Sequence, residues 1–219
     1  MEIKCRFCGE NCSKNGYQAN GVQRYKCKIC KRKQQSSYSN KACYNSLDQQ
    51  IIIFTKEGLG IRSTARILKI STTTLLKRIL LIAENIQRPI IAMGKIYEVD
   101  EMATFIKTKK RLIWIVYALE RESGRVVSFN VGSRTNKTLK IVLDTLKLSK
   151  PKSIYTDKLK HYKYLIDPLI HKTKRFGTNN IERKNLSLRI HLKRLNRRTI
   201  CFSKSKIVLV AILKIYFWL

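Results

Sequence analysis

Four of the seven cysteines in this 219-residue sequence form two Cys-x-x-Cys pairs close to the N-terminus. Cys5 pairs with Cys8 and Cys27 with Cys30, and eighteen residues lie between the pairs. Four thiolates on two tight turns match the ligand number and spacing of a tetrahedral structural zinc site, and so short a segment has too little apolar surface to fold without a metal. The pattern predicts a zinc ribbon over residues 1–45, with Cys12 as an alternative to Cys8.

The charge balance points to a polyanionic partner. The chain carries 46 Lys and Arg against 14 Asp and Glu, a formal net charge of +32. Because such self-repulsion is tolerated mainly beside a polyanion, nucleic acid is the predicted partner, ahead of an anionic membrane.

Two observations argue against secretion and membrane insertion. The N-terminus has no apolar signal-peptide core, and the apolar run from Ile207 to Leu219 contains Lys214 and falls short of the roughly 20 residues of a membrane span. We therefore expect a cytoplasmic protein in a reducing compartment, with Cys43 and Cys201 as free thiols. The apolar run is predicted to be a core helix.

Residues 46–88 carry helical periodicity in three short bursts. A first helix from Asp48 ends before Gly58, a short second helix is predicted to begin at Ser63, and Ser71 is predicted to cap a third. This order predicts a helix-turn-helix, although any three-helix bundle shows the same periodicity. The third helix would present four polar side chains to the major groove, namely Thr72, Thr73, Lys77 and Arg78.

After Pro89 the periodicity changes to that of strands. The predicted strands are Lys95 to Val99, Arg111 to Leu119, Val126 to Val131 and Ser153 to Thr156, and the predicted helices are Thr135 to Leu146, one from about His161 and long stretches after Thr178. The first three strands are predicted to be antiparallel, in a mixed sheet with covering helices. The chain is thus predicted to be a multidomain α+β protein with domains at 1–45, 46–88 and 89–219.

Acidic side chains are scarce enough for their positions to be informative. Asp100 closes the first predicted strand, Asp157 closes the fourth, and Glu182 lies in the first turns of a predicted helix. Carboxylates that converge from two strand ends and a helix hold two hard cations a few ångströms apart, as in-line attack on a phosphodiester requires. The three are candidate magnesium ligands, although a lone acid at a strand end is usually a turn residue and Glu182 also suits a helix N-terminus.

A basic stripe follows Glu182 along its predicted helix. Asn185, Arg189, Lys193 and Asn196 recur at helical spacing, and residues 183–206 contain nine Lys or Arg and no acid. Because a solvated helix face normally mixes both signs of charge, this face is predicted to bind a DNA backbone.

Several stretches of the sequence are specific enough to compare with known families. They are Cys5 to Cys30, Gly-Ile-Arg-Ser-Thr-Ala-Arg-Ile-Leu from Gly60, Val-Asp-Glu-Met at 99–102, Tyr-Thr-Asp at 155–157 and Ile-Glu-Arg-Lys-Asn-Leu-Ser-Leu-Arg from Ile181. With them the chain resembles the insertion sequence one family of bacterial transposases over nearly its whole length.

The resemblance implies that Asp100, Asp157 and Glu182 are the catalytic triad of an RNase-H-like DDE domain that holds two Mg²⁺ ions. It implies a DNA transposase that binds the terminal inverted repeats of an insertion sequence, cleaves the ends and transfers the 3′ hydroxyl to target DNA. The expected partners are double-stranded repeat and target DNA and further copies of the chain in a synaptic complex, in the bacterial nucleoid and not on a membrane. The competing hypotheses are a catalytically inactive, sequence-specific DNA-binding regulator and a nuclease without strand transfer.

Overall fold

The computed structural model describes residues 3–38 and 46–219. The chain divides into two compact units, Met1–Leu47 and Asp48–Leu219. Cys43 and the end of the predicted zinc ribbon lie outside the described residues.

The first unit is a small antiparallel sheet in the order β1 (Cys12–Tyr17), β2 (Gln23–Cys27) and β3 (Lys33–Gln35). A buried glutamine ties its N-terminal turn to β3, because the Gln34 amide accepts a hydrogen bond from Arg6 N at 2.9 Å and donates one to Lys4 O at 2.8 Å. Such a polar interior leaves little hydrophobic stabilisation for the unit.

Three helices come next in the chain, α1 (Ser46–Lys56), α2 (Ile61–Leu68) and α3 (Thr72–Asn85), and all but the first two residues of α1 belong to the second unit. Ser71 caps α3 as predicted, since its side chain accepts a hydrogen bond from Thr74 N at 3.0 Å. The prediction that Ser63 begins α2 is wrong. The helix begins at Ile61 because Gly60 already has the extended backbone of an N-cap, and glycine fills that position without a side-chain hydrogen bond.

The apolar C-terminal run forms a core helix, α7 (Lys206–Trp218), as predicted. It buries Leu209, Ile212 and Leu213 and packs against α3, where Lys214 Nζ donates to Ala83 O at 3.1 Å. The helical segment and the sheet therefore belong to one compact unit, and the boundary near residue 88 stays a prediction. Among the described residues, no helix has both the length and the apolar character of a membrane span.

A five-stranded mixed sheet follows α3 in the chain. Its strands are β4 (Ile96–Ile106), β5 (Thr108–Glu120), β6 (Val126–Gly132), β7 (Ser153–Tyr155) and β8 (His171–Lys172). The helices between and after them are α4 (Asn136–Lys147), α5 (Lys160–Leu165), α6 (Asn179–His191) and a 3-10 turn (Lys193–Leu195). The strand order is β6-β5-β4-β7-β8, with β4, β5 and β6 antiparallel and β7 parallel to β4. The mixed sheet and its three antiparallel strands confirm the sequence prediction.

The two faces of β4 serve different purposes. Tyr97 and Val99 are fully buried in a core formed with α4 and α5. Glu98 and Asp100 alternate with them and bond to residues of α6. Because successive side chains of a strand point to opposite faces, one face supplies the core and the other supplies polar groups to α6.

Candidate active site

Asp100 and Asp157 come from neighbouring parallel strands. β4 pairs with β7 with Glu98 opposite Tyr155, and the same register continued by two residues sets Asp100 opposite Asp157. β7 ends at Tyr155, whereas β4 continues to Ile106 because β5 pairs with it as far as the hairpin turn. The prediction that Asp100 closes its strand is therefore wrong, but the two aspartates do meet.

A third acid, Glu101, joins them and was not predicted. One carboxylate oxygen from each of Asp100, Glu101 and Asp157 lies within 4.8 Å of the others. The Glu101 side chain is 1% exposed, and its Oε1 lies 3.6 Å from Nε of Arg134, which stacks on the Trp114 ring at 4.4 Å. Alternation along β4 places the two side chains on opposite faces, yet a carboxylate oxygen of each comes within 4.8 Å of the other and of Asp157.

Glu182 borders this group without entering it. It lies in the first turn of α6, and its Oε1 accepts a hydrogen bond from Thr178 Oγ1 at 2.7 Å. Burial raises the pKa of Asp100, and the negative charges of Asp157 and Glu182 raise it further. The carboxylates therefore repel one another in the absence of a cation.

Asn185 holds the Asp100 carboxylate in place. Its Nδ2 donates to Asp100 Oδ2 at 2.7 Å, and its Oδ1 accepts a hydrogen bond from the buried Tyr117 hydroxyl at 2.8 Å. Both ends of the amide are thus occupied inside the protein. Contact of Asn185 with DNA stays a prediction.

A fully buried acid, Glu98, fixes the start of α6. Its Oε2 accepts a hydrogen bond from Ile181 N at 2.9 Å, its Oε1 accepts one from Asn180 Nδ2 at 3.0 Å, and Arg121 Nε lies 3.4 Å away. A negative charge at a helix N-terminus is favourable, because the unpaired N–H groups and the helix dipole both point at it. Because Ile181 precedes Glu182, its hydrogen bond to Glu98 also sets the position of Glu182 relative to β4.

Three of the carboxylates line a cleft of about 850 Å³ that basic residues also line. Its lining residues are Asp100, Glu101, Met102, Glu182, Asn185, Leu186, Arg189, Ile190, Lys193, Asn196 and Arg197. Arg189 is held half-buried, since its Nη1 donates to Leu195 O at 2.7 Å. Three cations beside three acids suit a substrate that carries phosphates and binds divalent metal.

A family model described as IS1 transposase matches residues 94–217, which include all of these acids. The chain belongs to the IS1 transposase family. It is 36% identical over 113 residues to the InsB protein of insertion element iso-IS1n from Shigella dysenteriae, covering 52% of this chain and 86% of that protein. It is 36% identical over 108 residues to the IS1 protein InsB of Shigella flexneri, covering 49% of this chain and 82% of that one. The protein is thus a DNA transposase.

Two solved structures are distant neighbours of this transposase. One is the intasome of simian T-cell lymphotropic virus in complex with PP2A regulatory subunit B56 gamma, at 18% identity and a TM-score of 0.41 over 74% of this chain and 66% of that one. The other is the magnesium-bound catalytic core domain of HTLV-2 integrase, at 20% identity and a TM-score of 0.33 over 57% of this chain and 84% of that one.

The transposase exposes three of the four side chains predicted on the third helix. Thr72, Thr73 and Lys77 are exposed on α3. Arg78 is half-buried, and its Nη1 lies 3.3 Å from Asp48 Oδ2 on α1. This ion pair fastens α3 to α1.

The four cysteines of the predicted zinc site converge in the first unit. Cys5 Sγ lies 3.6 Å from Cys30 Sγ, and Cys8 Sγ lies 3.5 Å from Cys27 Sγ. A tetrahedron with Zn–S bonds of about 2.3 Å has S···S separations of about 3.8 Å, whereas a disulfide bond measures about 2.05 Å. The geometry therefore fits a metal better than an oxidised pair.

Cys12 lies opposite Cys27 in the sheet, beside this cluster, but it is not one of the four clustered cysteines. The four clustered sulfurs all lie within 4.8 Å of one another, whereas Cys12 donates to Glu10 O at 3.9 Å. Within the cluster, a hydrogen bond from Phe7 N is the main cause that lowers the pKa of Cys5 to about 6. Burial and hydrogen bonds with the neighbouring thiols raise the pKa values of Cys8 and Cys30, so the metal-free thiols do not ionise alike.

Proposed function

We propose that the transposase cleaves the ends of an insertion sequence in an RNase-H-like DDE domain, residues 89–219, with Asp100, Asp157 and Glu182 as ligands of two Mg²⁺ ions. The observation that carries the proposal is the meeting of Asp100 and Asp157 at the ends of β4 and β7, together with the cleft that Asp100 and Glu182 both line. The donors fit the ion, because Mg²⁺ prefers carboxylate oxygens. Burial first, and then the charges of Asp157 and Glu182, raise the pKa of Asp100, and a bound cation would offset both effects.

In this proposal each group has one task. Bound Mg²⁺ would supply Lewis acidity to the attacking and leaving oxygens. The protein holds the Asp100 carboxylate through Asn185 and places phosphates along Arg189 and Lys193. Water attacks the scissile phosphorus, the P–O3′ bond breaks and a 3′ hydroxyl is released. This hydroxyl then attacks a phosphorus of the target DNA, the target's own P–O3′ bond breaks and the target 3′ oxygen leaves with the proton.

We propose that α1–α3 form a helix-turn-helix in which Thr72, Thr73 and Lys77 read the major groove of the inverted repeat. Their exposure supports this role, while the ion pair of Arg78 with Asp48 argues for a structural role of Arg78. Alanine at the three reading positions should lower the preference for repeat over random DNA more than it lowers affinity for random DNA, as competition binding would show. Unchanged preference would rule out α3 as the reader.

We propose that the first unit holds one structural Zn²⁺ through Cys5, Cys8, Cys27 and Cys30 and adds a basic DNA-binding surface. Because two element ends must be cut and joined together, the active form should be a homo-oligomer that pairs both ends in a synaptic complex. Because its proposed partner is DNA, we expect the protein to be located at the bacterial nucleoid.

The experiment that tests the proposal compares cutting with binding. Purified protein, labelled inverted-repeat ends and Mg²⁺ should yield cleaved ends and, with target DNA, joined products. Mn²⁺ should replace Mg²⁺, and Ca²⁺ should support assembly with little cutting. If the protein binds the repeats but cuts them with neither Mg²⁺ nor Mn²⁺, it is instead the DNA-binding regulator. If it cuts the repeats without joining them to target DNA, it is a nuclease without strand transfer.

A further inference from the structure

The tip of the β4–β5 hairpin presents a cluster of cations that the catalytic site does not use. Lys107, Lys109, Lys110 and Arg111 are four basic residues among five, and all are exposed. Ile106 pairs with Thr108, but the next pair is Phe105 with Leu112, so residues 109–111 form a bulge without partners on β4. Bulges of this kind redirect side chains away from the ladder.

The hairpin tip is fixed to the segment that follows α6. Lys107 N donates to Ser203 O at 2.9 Å, and Ile106 and Ser203 form a parallel bridge. The Phe105 and Phe202 rings meet edge to face at 5.9 Å. These contacts make residues 107–111 and 193–206 one surface, which we call the basic platform.

The basic platform carries cations without acids. Residues 193–206 add Lys193, Arg197, Arg198, Lys204 and Lys206, all exposed. The sequence has no Asp or Glu between Glu101 and Glu120 or after Glu182. Within the described chain, no platform side chain takes part in an ion pair. Its own charge therefore opposes the folded arrangement unless a polyanion lies across it.

The platform is continuous with the carboxylate cleft, because Lys193 and Arg197 line both. Asp100 and Ile106 are six residues apart on β4, which is about 20 Å at a rise of about 3.3 Å per residue. Duplex DNA advances about 3.4 Å per base pair, so a duplex that lies along β4 would cover this distance with about six base pairs.

From this placement we propose that the basic platform binds the phosphate backbone of duplex DNA about six base pairs from the phosphodiester in the cleft. The proposal rests on the proposed cleavage function for the position of the DNA in the cleft. The platform should bind DNA of any base sequence, since it offers charge and no ordered set of base-reading groups. It extends the DNA contact beyond α6 to a strand hairpin.

The test compares two double substitutions in the full chain. Lys109→Ala with Lys110→Ala removes charge from the bulge. Lys150→Ala with Lys152→Ala removes two exposed cations that precede β7, at the opposite end of the sheet, and serves as the matched control. Affinity for random-sequence duplex is measured by fluorescence anisotropy against salt concentration with Ca²⁺ present, and melting curves check folding.

The bulge variant should lower the salt slope by about 2, since each lost phosphate contact removes about 0.9, while the control keeps the slope of the unsubstituted protein. On a duplex that carries a repeat end, also with Ca²⁺, backbone protection about six base pairs from the expected scissile phosphodiester should disappear in the bulge variant alone. An unchanged slope, or a loss confined to binding of anionic lipid vesicles, overturns the proposal. Because this readout needs no cutting, a protein that shows the slope change but never cleaves DNA contradicts the proposed function and leaves the platform intact.

Discussion

At the scale of single residues, three buried or half-buried acids on β4 have three different roles. Glu98 binds the start of α6, Asp100 faces Asp157, and Glu101 approaches them from the other face of the sheet. The sequence predicted only Asp100, because strand patterning identifies a strand but gives no information on which helix will pack on it. Three acids among four residues of an otherwise buried strand were the available signal.

Replacing Glu98 tests whether it positions α6. Glu98→Gln removes the charge that faces the α6 N-terminus and Arg121, and should lower the free energy of unfolding by about 2 kcal/mol. Mn²⁺ should also bind more weakly, because Glu182 shifts with the helix. Urea unfolding and Mn²⁺ titration measure the two effects. Glu122→Gln is the control, since its ion pair with Lys95 is on the surface and should contribute little. Equal stability and Mn²⁺ affinity in both variants would exclude the positioning role.

The raised pKa of Glu101 predicts that the stability of the metal-free protein depends on pH. Burial, and then the charge of Asp157, raises the pKa of Glu101 from 4.5 to about 7. Between these two pKa values the carboxyl binds more protons in the folded than in the unfolded chain. Its contribution to stability therefore falls as the pH rises from about 4.5 to about 7. The melting temperature of the unsubstituted protein relative to Glu101→Gln should therefore fall between about pH 5 and about pH 8. Parallel melting curves for the two proteins would contradict this assignment.

At the scale of elements, the sequence predicted those with a strong local signal. Ser71 caps α3 and the apolar C-terminal run is α7, because capping and apolar periodicity are local properties. The start of α2 depended on the backbone of Gly60, and the length of β4 depended on its pairing with β5. The two-residue strand β8 is too short to leave a pattern and exists only through its pairing with β7.

The predicted zinc ribbon is the element whose stability should depend on metal. Cys8→Ser should abolish retention of about one Zn²⁺ per chain and unfold the first unit, whereas Cys12→Ser should retain both, because only Cys8 lies in the cluster. Atomic absorption after gel filtration and near-ultraviolet circular dichroism are the measurements. Zinc retained by Cys8→Ser and lost by Cys12→Ser would reverse the ligand assignment.

At the scale of the whole molecule, the partner could be predicted from composition, whereas the arrangement of the site depends on topology. The charge of +32 predicted a polyanionic partner from the sequence alone. Asp100 and Asp157, which are 57 residues apart, meet through the pairing of β4 with β7, which no local pattern of the sequence reports. Glu182 was expected beside them from its helix and from the family resemblance, and it lies on α6 at the border of the group. The packing of α3 against α7 was not predicted, because no local pattern reports contact between segments so distant in the chain.

The central claim is that three carboxylates act as one metal-binding unit in cleavage. Asp100→Asn, Asp157→Asn and Glu182→Gln keep the side-chain shape and remove the charge that divalent ions need. Single-turnover cleavage of labelled repeat ends should fall by about a thousand-fold or more in each, with repeat binding preserved, and a double variant should be scarcely worse than a single one. Asp167→Asn, an exposed acid outside the cleft, should retain activity. Cleavage at an undiminished rate in Asp157→Asn would contradict the account.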